Sequence, residues 1–313
     1  MQSPASGLSM LLFIEQILNG LQLGVMLFLM SAWLTLVFPI IQVINLAHGS
    51  FYMIGAYVAA TVMQQTGSFM LGLLAALPVS ALIGMLVEAL VLRRLYQRDH
   101  LDQVLATFGL ILFFNELTRI IWGRQPLFMD GPEWLSGTVE LIPGAPYPSY
   151  RLAIIVVGIA VAVLLYLLFT RTRLGMQIRA GSSNREMVAA LGVNIKLLYT
   201  LVFGLGTLLA GLAGVMAGPI LAVESGMGES ILILTFVVIV IGGIGSIRGA
   251  LIAALLVGMV DTLGRAFLPG LFRLVLPAAQ ADGVGASLSS MAIYILMAAI
   301  LVWKPKGLFP AQA

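Results

Sequence analysis

Long apolar runs, each close to the length that crosses a bilayer, follow one another along this chain, and no soluble fold could hide so many. A membrane helix needs about 20 apolar residues. Nine such runs can be drawn, at roughly 17–40, 48–65, 69–92, 104–122, 151–170, 197–218, 230–246, 249–268 and 288–303, the second and seventh being short. Only 9% of the residues are charged and 60% are hydrophobic, whereas a soluble domain carries about 25% charged residues. A surface facing lipid accounts for the deficit. The expected fold is therefore all-α, a polytopic transmembrane helix bundle of about eight or nine spans forming one membrane domain over residues 1–313. The first residues lack the basic segment of a signal peptide, and Ser3–Ser9 reads as a short polar lead.

Basic residues orient the bundle, because Lys and Arg accumulate in cytoplasmic loops. With the N-terminus outside, one face receives Arg93, Arg94, Arg98, Arg171, Arg173, Arg179, Arg185, Lys196, Arg248, Lys304 and Lys306, which is 11 of the 16 basic residues. The other face receives Arg119, Arg124, Arg151, Arg265 and Arg273. The C-terminus is accordingly expected inside.

Two extramembrane segments are long enough to have a role. Residues 123–150, expected outside, hold Pro126, Pro132, Pro143, Pro146 and Pro148, which exclude a continuous helix. Asp130-Gly131 and Pro143-Gly144 read as turns there. Residues 171–196, expected inside, read as a short helix. Ser182, Ser183 or Asn184 would cap it, Glu186 suits its N-terminal end, and Gly192 is its stop.

Several chemistries are excluded by what the chain lacks. There is no phosphate-binding loop of the GxxxxGK[ST] type, no HExxH and no Gly-x-Ser-x-Gly. Without cysteine there is neither a disulfide nor a thiolate metal site, and His48 and His100 are the only histidines. A net charge of +3, scattered along the chain, does not suit nucleic acid. No cofactor is implied.

The polar groups left within the spans are few, and such groups turn toward a protein interior or a cavity. Glu88 lies near the end of its run, where it can snorkel or pair with Arg93 or Arg94. Glu116 with Arg119, and Asp261 with Arg265, have the spacing of intrahelical pairs, although contact with a solute stays open for both. Asn45-Leu46-Ala47-His48-Gly49-Ser50 packs an amide, an imidazole and a hydroxyl into the start of a run. It is either a polar lining of a pathway or a helix cap with His48 bonded to backbone. Gly204, Gly206, Gly211, Gly214 and Gly218, like Gly55, Gly72 and Gly84, suit close helix packing. The turn Gly242-Gly243-Ile244-Gly245-Ser246-Ile247-Arg248-Gly249 joins two full crossings or breaks a re-entrant helix.

Five stretches, in order, resemble the permease subunits of ABC importers for branched-chain amino acids, a family that includes urea and amide permeases. They are Ile44–Gly49 with Tyr52–Tyr57, Leu105–Leu110 with Trp122-Gly123, Arg179-Ala180 with Asn184–Met187 and Ala189–Val193, Gly242–Ser246 with Gly249-Ala250, and Lys304–Phe309. The closest likeness is to the subunit with no attached ATPase. Two features depart from the pattern. Arg248 stands where Pro or a small residue is expected, and residues 268–287 look like an extra outer loop.

The resemblance implies a permease of the inner membrane, surrounded by lipid, paired with a homologous second permease or with itself. Two cytoplasmic ATPases would drive it, and a periplasmic binding protein would deliver solute. On this likeness Asn45, His48, Thr107 and Asn115 are expected to approach the translocation pathway. Arg179, Gly181, Asn184, Arg185, Glu186 and Gly192 would form the ATPase-coupling element, with Gly181 and Gly192 turning the chain at its two ends. Gly242, Gly243, Gly245, Ser246 and Gly249 would form the helix turn. The competing readings are a secondary transporter or channel acting alone, using acids such as Glu88, Glu116 and Asp261, and a membrane-embedded enzyme.

Overall fold

A computed structural model describes residues 4–41, 45–142 and 145–309 of the 313-residue chain. Its elements are α1 (Pro4–Ile41), α2 (His48–Thr66), α3 (Phe69–Val87), a π-helical turn (Glu88–Leu92) leading into α4 (Arg93–Leu95), and α5 (His100–Trp122). A 3-10 turn (Glu133–Leu135) and the strands β1 (Thr138–Ile142) and β2 (Ala145–Pro148) follow. Then come α6 (Ser149–Arg171), α7 (Arg173–Ser183), α8 (Arg185–Ala190), α9 (Ile195–Ala217), α10 (Met227–Gly242), α11 (Ile247–Phe272) and α12 (Ala278–Trp303).

The chain is an all-α membrane bundle. Among the described residues seven helices are long and apolar enough to cross a membrane: α1 between Met10 and Thr35, α3 with its extension to Leu95, α5, α6, α9, α11 and α12. The two runs that read as short are α2, whose first half is buried, and α10, which at 16 residues spans about 24 Å. Burial separates the centre from the periphery. The apolar windows of α1 and α9 are 72% and 78% buried, against 17–33% for the other five, so α1 and α9 form the axis.

Small residues let backbones meet around that axis. A methyl group at Gly211 of α9 would strike Ser80 of α3, one at Gly214 would fall on the carbonyl of Tyr52 of α2, and one at Gly206 would enter the ring of Trp33 of α1.

Local chemistry sets the helix ends. The Ser68 hydroxyl accepts from Leu71 N (3.4 Å), that of Thr172 from Gly175 N (3.1 Å), the Asn194 amide oxygen from Leu197 N (3.1 Å) and the Ser246 hydroxyl from Gly249 N (3.0 Å). These cap α3, α7, α9 and α11. The glycine turn joins α10 to α11 with Gly243 at φ +93° and Gly245 at φ +88°. Gly242 and Gly249 meet backbone to backbone across it. The C-terminal segment closes on the same place, Leu308 N donating to Ile241 O (2.8 Å) and Phe309 N to Gly242 O (3.1 Å). Arg248 is exposed in the first turn of α11.

The bundle has a basic end, where Arg93, Arg171 and Lys196 lie, and an opposite end carrying the β-hairpin. The hairpin pairs Thr138 with Pro148 and Ile142 with Ala145. Tyr147 and Arg151 both donate to the Asn19 amide oxygen of α1, and Tyr150 donates to Met216 O of α9 (2.9 Å). The turn expected at Pro143-Gly144 lies outside the described residues.

Two expectations are corrected here. Residues 268–287 are not an extra loop: α11 continues to Phe272 and α12 begins at Ala278, leaving a five-residue corner tied by Arg273 to Asp282 (2.9 Å). Gly285 packs directly on Pro269 there, so small residues rather than apolar ones hold these helix ends together. At the other terminus α1 includes residues 4–9, and the candidate span begins after them at Met10. The segment 171–196 holds two helices instead of one, because Asn184 is extended (φ −155°, ψ 97°).

Candidate functional site

The start of α2 lies deep inside the bundle. Asn45 is buried, its amide oxygen accepting from Ala47 N (3.1 Å). His48 is 2% exposed and hydrogen-bonds the backbone carbonyl of Met30 on α1. Among the described residues, the Nδ2 of Asn45 and the Nε2 of His48 have no hydrogen-bond partner. Asn45 turns the chain ahead of the helix, whose N-cap position is Ala47 with no side-chain cap, so of the capping reading only the His48 bond to backbone is seen.

The beginning of α10 meets the beginning of α2. Gly226 at φ +94° turns the chain into α10, and Gly228 then lies against Gly49, backbone on backbone. A methyl group on either glycine would fall on the carbonyl oxygen of the other. Two helix N-termini, each with a partial positive charge, thus converge within the bundle.

The third wall is α5. Its buried stripe is Gln103, Thr107, Ile111, Phe114, Asn115 and Thr118. The Thr107 hydroxyl donates to Gln103 O of its own helix (2.8 Å). Asn115 reaches across and donates to Oε1 of Glu229 (2.5 Å) in the first turn of α10. One turn nearer the hairpin end, Arg119 donates to the Ser225 hydroxyl (3.0 Å) and pairs with Glu116 (2.6 Å). Between the three helices lies a narrow cleft of about 190 Å3, lined by Gly49, Ser50, Met53, Ile111, Asn115 and Glu229 among others, nowhere wide enough for water. Asn115 lines it, Asn45 and His48 sit behind it toward α1, and Thr107 lies two turns away on the same stripe of α5.

A second polar cluster closes the basic end of α3. Glu88 is fully buried, and Arg93 meets it with both Nε (3.3 Å) and Nη2 (2.9 Å). Tyr96 donates to its Oε1 (2.8 Å) and Thr200 of α9 to its Oε2 (2.6 Å). Burial, reinforced by the Glu88 charge, raises the Tyr96 hydroxyl pKa far above the tyrosine range. Of the two expectations for Glu88, pairing holds, and the cluster ties α3 to α9. A larger open cavity of about 590 Å3 lies at the hairpin end, under the 128–134 loop and beside Met63 and Phe69, remote from both clusters.

The helices α7 and α8 connect α6 to α9 at the basic end, with α7 packed against α6 and α1. Gly175 fits α7 against the backbone of Leu168 and Phe169, and Ile178 and Val188 turn inward. Asn184 ends α7 and begins α8: its N–H donates to Ala180 O (3.0 Å) and its side-chain oxygen accepts from Met187 N (2.9 Å). Glu186 stands in the first turn of α8, and Gly192 at φ +86° turns the chain toward α9. Gly181 is not the turn expected of it; it is buried within α7, facing Leu198. Arg179 is exposed, as are the apolar Met187 (59%) and Leu191 (77%). The Arg185 side chain lies outside the described residues.

Residues 16–301 match the family described as branched-chain amino acid transport system / permease component. The chain belongs to this family. The permease is 29% identical over 278 residues to the high-affinity branched-chain amino acid transport system permease protein LivH of Salmonella typhimurium, covering 82% of the chain and 88% of that protein. It is 29% identical over 310 residues to BraD of Pseudomonas aeruginosa, a permease protein of the same description, covering 95% of each. A more distant relative is the ribose import permease protein RbsC of Escherichia coli, 27% identical over 261 residues, 79% of the chain and 77% of that protein. No solved structure matches the permease. It is thus a multi-pass membrane protein and a transport permease. Sequence reasoning missed Glu229, because the seventh run was drawn from residue 230; a carboxylate between Gly228 and a run as apolar as Ile231–Ile241 was the available signal.

Proposed function

We propose that the permease is the membrane subunit of an ATP-driven importer in the inner membrane, carrying branched-chain and other hydrophobic amino acids from a periplasmic binding protein to the cytoplasm. The carrying observation is the pair α7–α8, which presents exposed Arg179, Met187 and Leu191 beyond the basic end of a family member without a nucleotide-binding motif. The basic end faces the cytoplasm, as the distribution of Lys and Arg favours. One of two ATPases docks on α8, and the other on a second permease, homologous or identical. Closure of the ATPases moves α8, and α9 carries the movement through Thr200 and Glu88 to α3. The hairpin and the cavity beside it face the binding protein. Asn45, His48, Thr107 and Asn115 lie on or behind the route between the two permease chains.

Reconstitution tests this reading. In proteoliposomes holding the permease, its partner permease and the ATPases, with binding protein supplied, leucine uptake should require ATP and stop with vanadate. The competing secondary transporter would take up leucine in vesicles containing this chain alone, without nucleotide; that result would replace the proposal.

A further inference from the structure

We infer that the cleft between α2, α5 and α10 is a waypoint for an amino-acid zwitterion, with the Glu229 carboxylate receiving the ammonium group. The inference rests on the importer reading above and deepens it. Ion pairs occupy Glu88, Glu116, Asp261 and Asp282. Glu229 has no cation within reach among the described residues; the Asn115 amide is its hydrogen-bond donor. That amide is buried and holds the carboxylate at the edge of the cleft.

Depth makes the unpaired charge informative. Along α5, Asn115 lies about 22 Å from His100 and about 10 Å from Trp122, at about 1.5 Å per residue. Glu229 is bonded at that level and is exposed on the surface of the single chain. A carboxylate turned toward hydrocarbon at that depth would be expensive. Its place at the mouth of the cleft provides a polar route instead. The first turn of α10 stabilises the negative charge, and the N-terminal turn of α2 in the same cleft offers its positive end to the carboxylate of the solute. Met53 and Ile111 line the cleft as an apolar wall suited to an aliphatic side chain. Acid, helix N-terminus and apolar wall together match the three parts of a branched-chain amino acid. In this conformation the cleft is shut, so the solute enters as the helices part.

The test uses the assembled importer in proteoliposomes, with radiolabelled leucine as probe. Glu229→Gln keeps size and hydrogen bonding and removes the charge. It should lower leucine uptake by about tenfold or more while ATP hydrolysis stimulated by binding protein stays near the parent's. Glu229→Asp should recover part of the loss. Uptake at the parental rate in Glu229→Gln would overturn the inference. So would separation of the two permease chains on size exclusion, since the carboxylate would then be a subunit contact. A parent complex that moves no leucine under ATP would sink the importer reading itself, and this inference with it.

Discussion

Valine at Gly49 or at Gly228 should leave almost no folded permease in the membrane. The two glycines touch through their backbones, each occupying the space that the other's side chain would need. Overpacking in a core costs about 1–3 kcal/mol when neighbouring side chains can yield. Here the obstacle is a carbonyl oxygen held within a helix, so the upper end of that range or more applies. Separating the helices would also pull Glu229 from Asn115 and widen the cleft. Gly109→Ala on α5 is the control, because among the described residues nothing lies within 4 Å of a methyl group there. The amount and melting temperature of detergent-extracted protein, followed by size exclusion, separate the cases. Loss for Gly49→Val and Gly228→Val beside parental behaviour for Gly109→Ala is expected, and a stable Gly228→Val protein would show that the two helix starts do not need contact.

Hydropathy made the spans legible where lipid or the core selects apolar residues continuously. It failed where small residues form the helix. Ala278–Ser287 contains Gln280, Asp282 and three polar or glycine positions beyond them, yet it is the first part of α12, held by Gly285 against Pro269. Capping chemistry was legible at Asn184, although not that the cap would divide the segment into two helices. The pairing of Glu88 with Arg93 spans five residues, a spacing an α-helix does not favour; the π-helical turn brings the two groups onto one face. Thr200, 112 residues from Glu88, and Glu229, 114 residues from Asn115, complete their clusters only when the bundle closes. Separations of that size leave no periodic trace in a single sequence. Asn45, His48, Thr107 and Asn115 all lie buried on or near α2 and α5, whereas Glu229 of α10, which gives the cleft its charge, left no such signal within a span.

Paired substitutions Met187→Asp and Leu191→Asp should leave the permease folded and inserted, yet remove ATP-driven uptake. Both side chains are exposed, at 59% and 77%, so their loss should change stability by only about 0.5 kcal/mol. Met187 lies on a six-residue helix and Leu191 directly follows it, the segment being bounded by the Asn184 cap at its start and the Gly192 turn at its end. That rigidity suits a part that must transmit a push. If an ATPase groove receives these side chains, replacing two anchors by carboxylates costs about 2 kcal/mol or more, roughly a thirtyfold loss of docking. Co-purification of the ATPase and leucine uptake should then fall together, while membrane abundance holds. An interfacial role in lipid predicts the reverse pattern, with reduced insertion and unchanged uptake per inserted molecule. Should the double variant keep both ATPase and uptake, the coupling contact would lie instead at the other turn on the basic end, between Arg93 and Asp102, where Gln103 already fastens the chain by donating to Leu95 O (3.2 Å) and Arg98 O (3.0 Å).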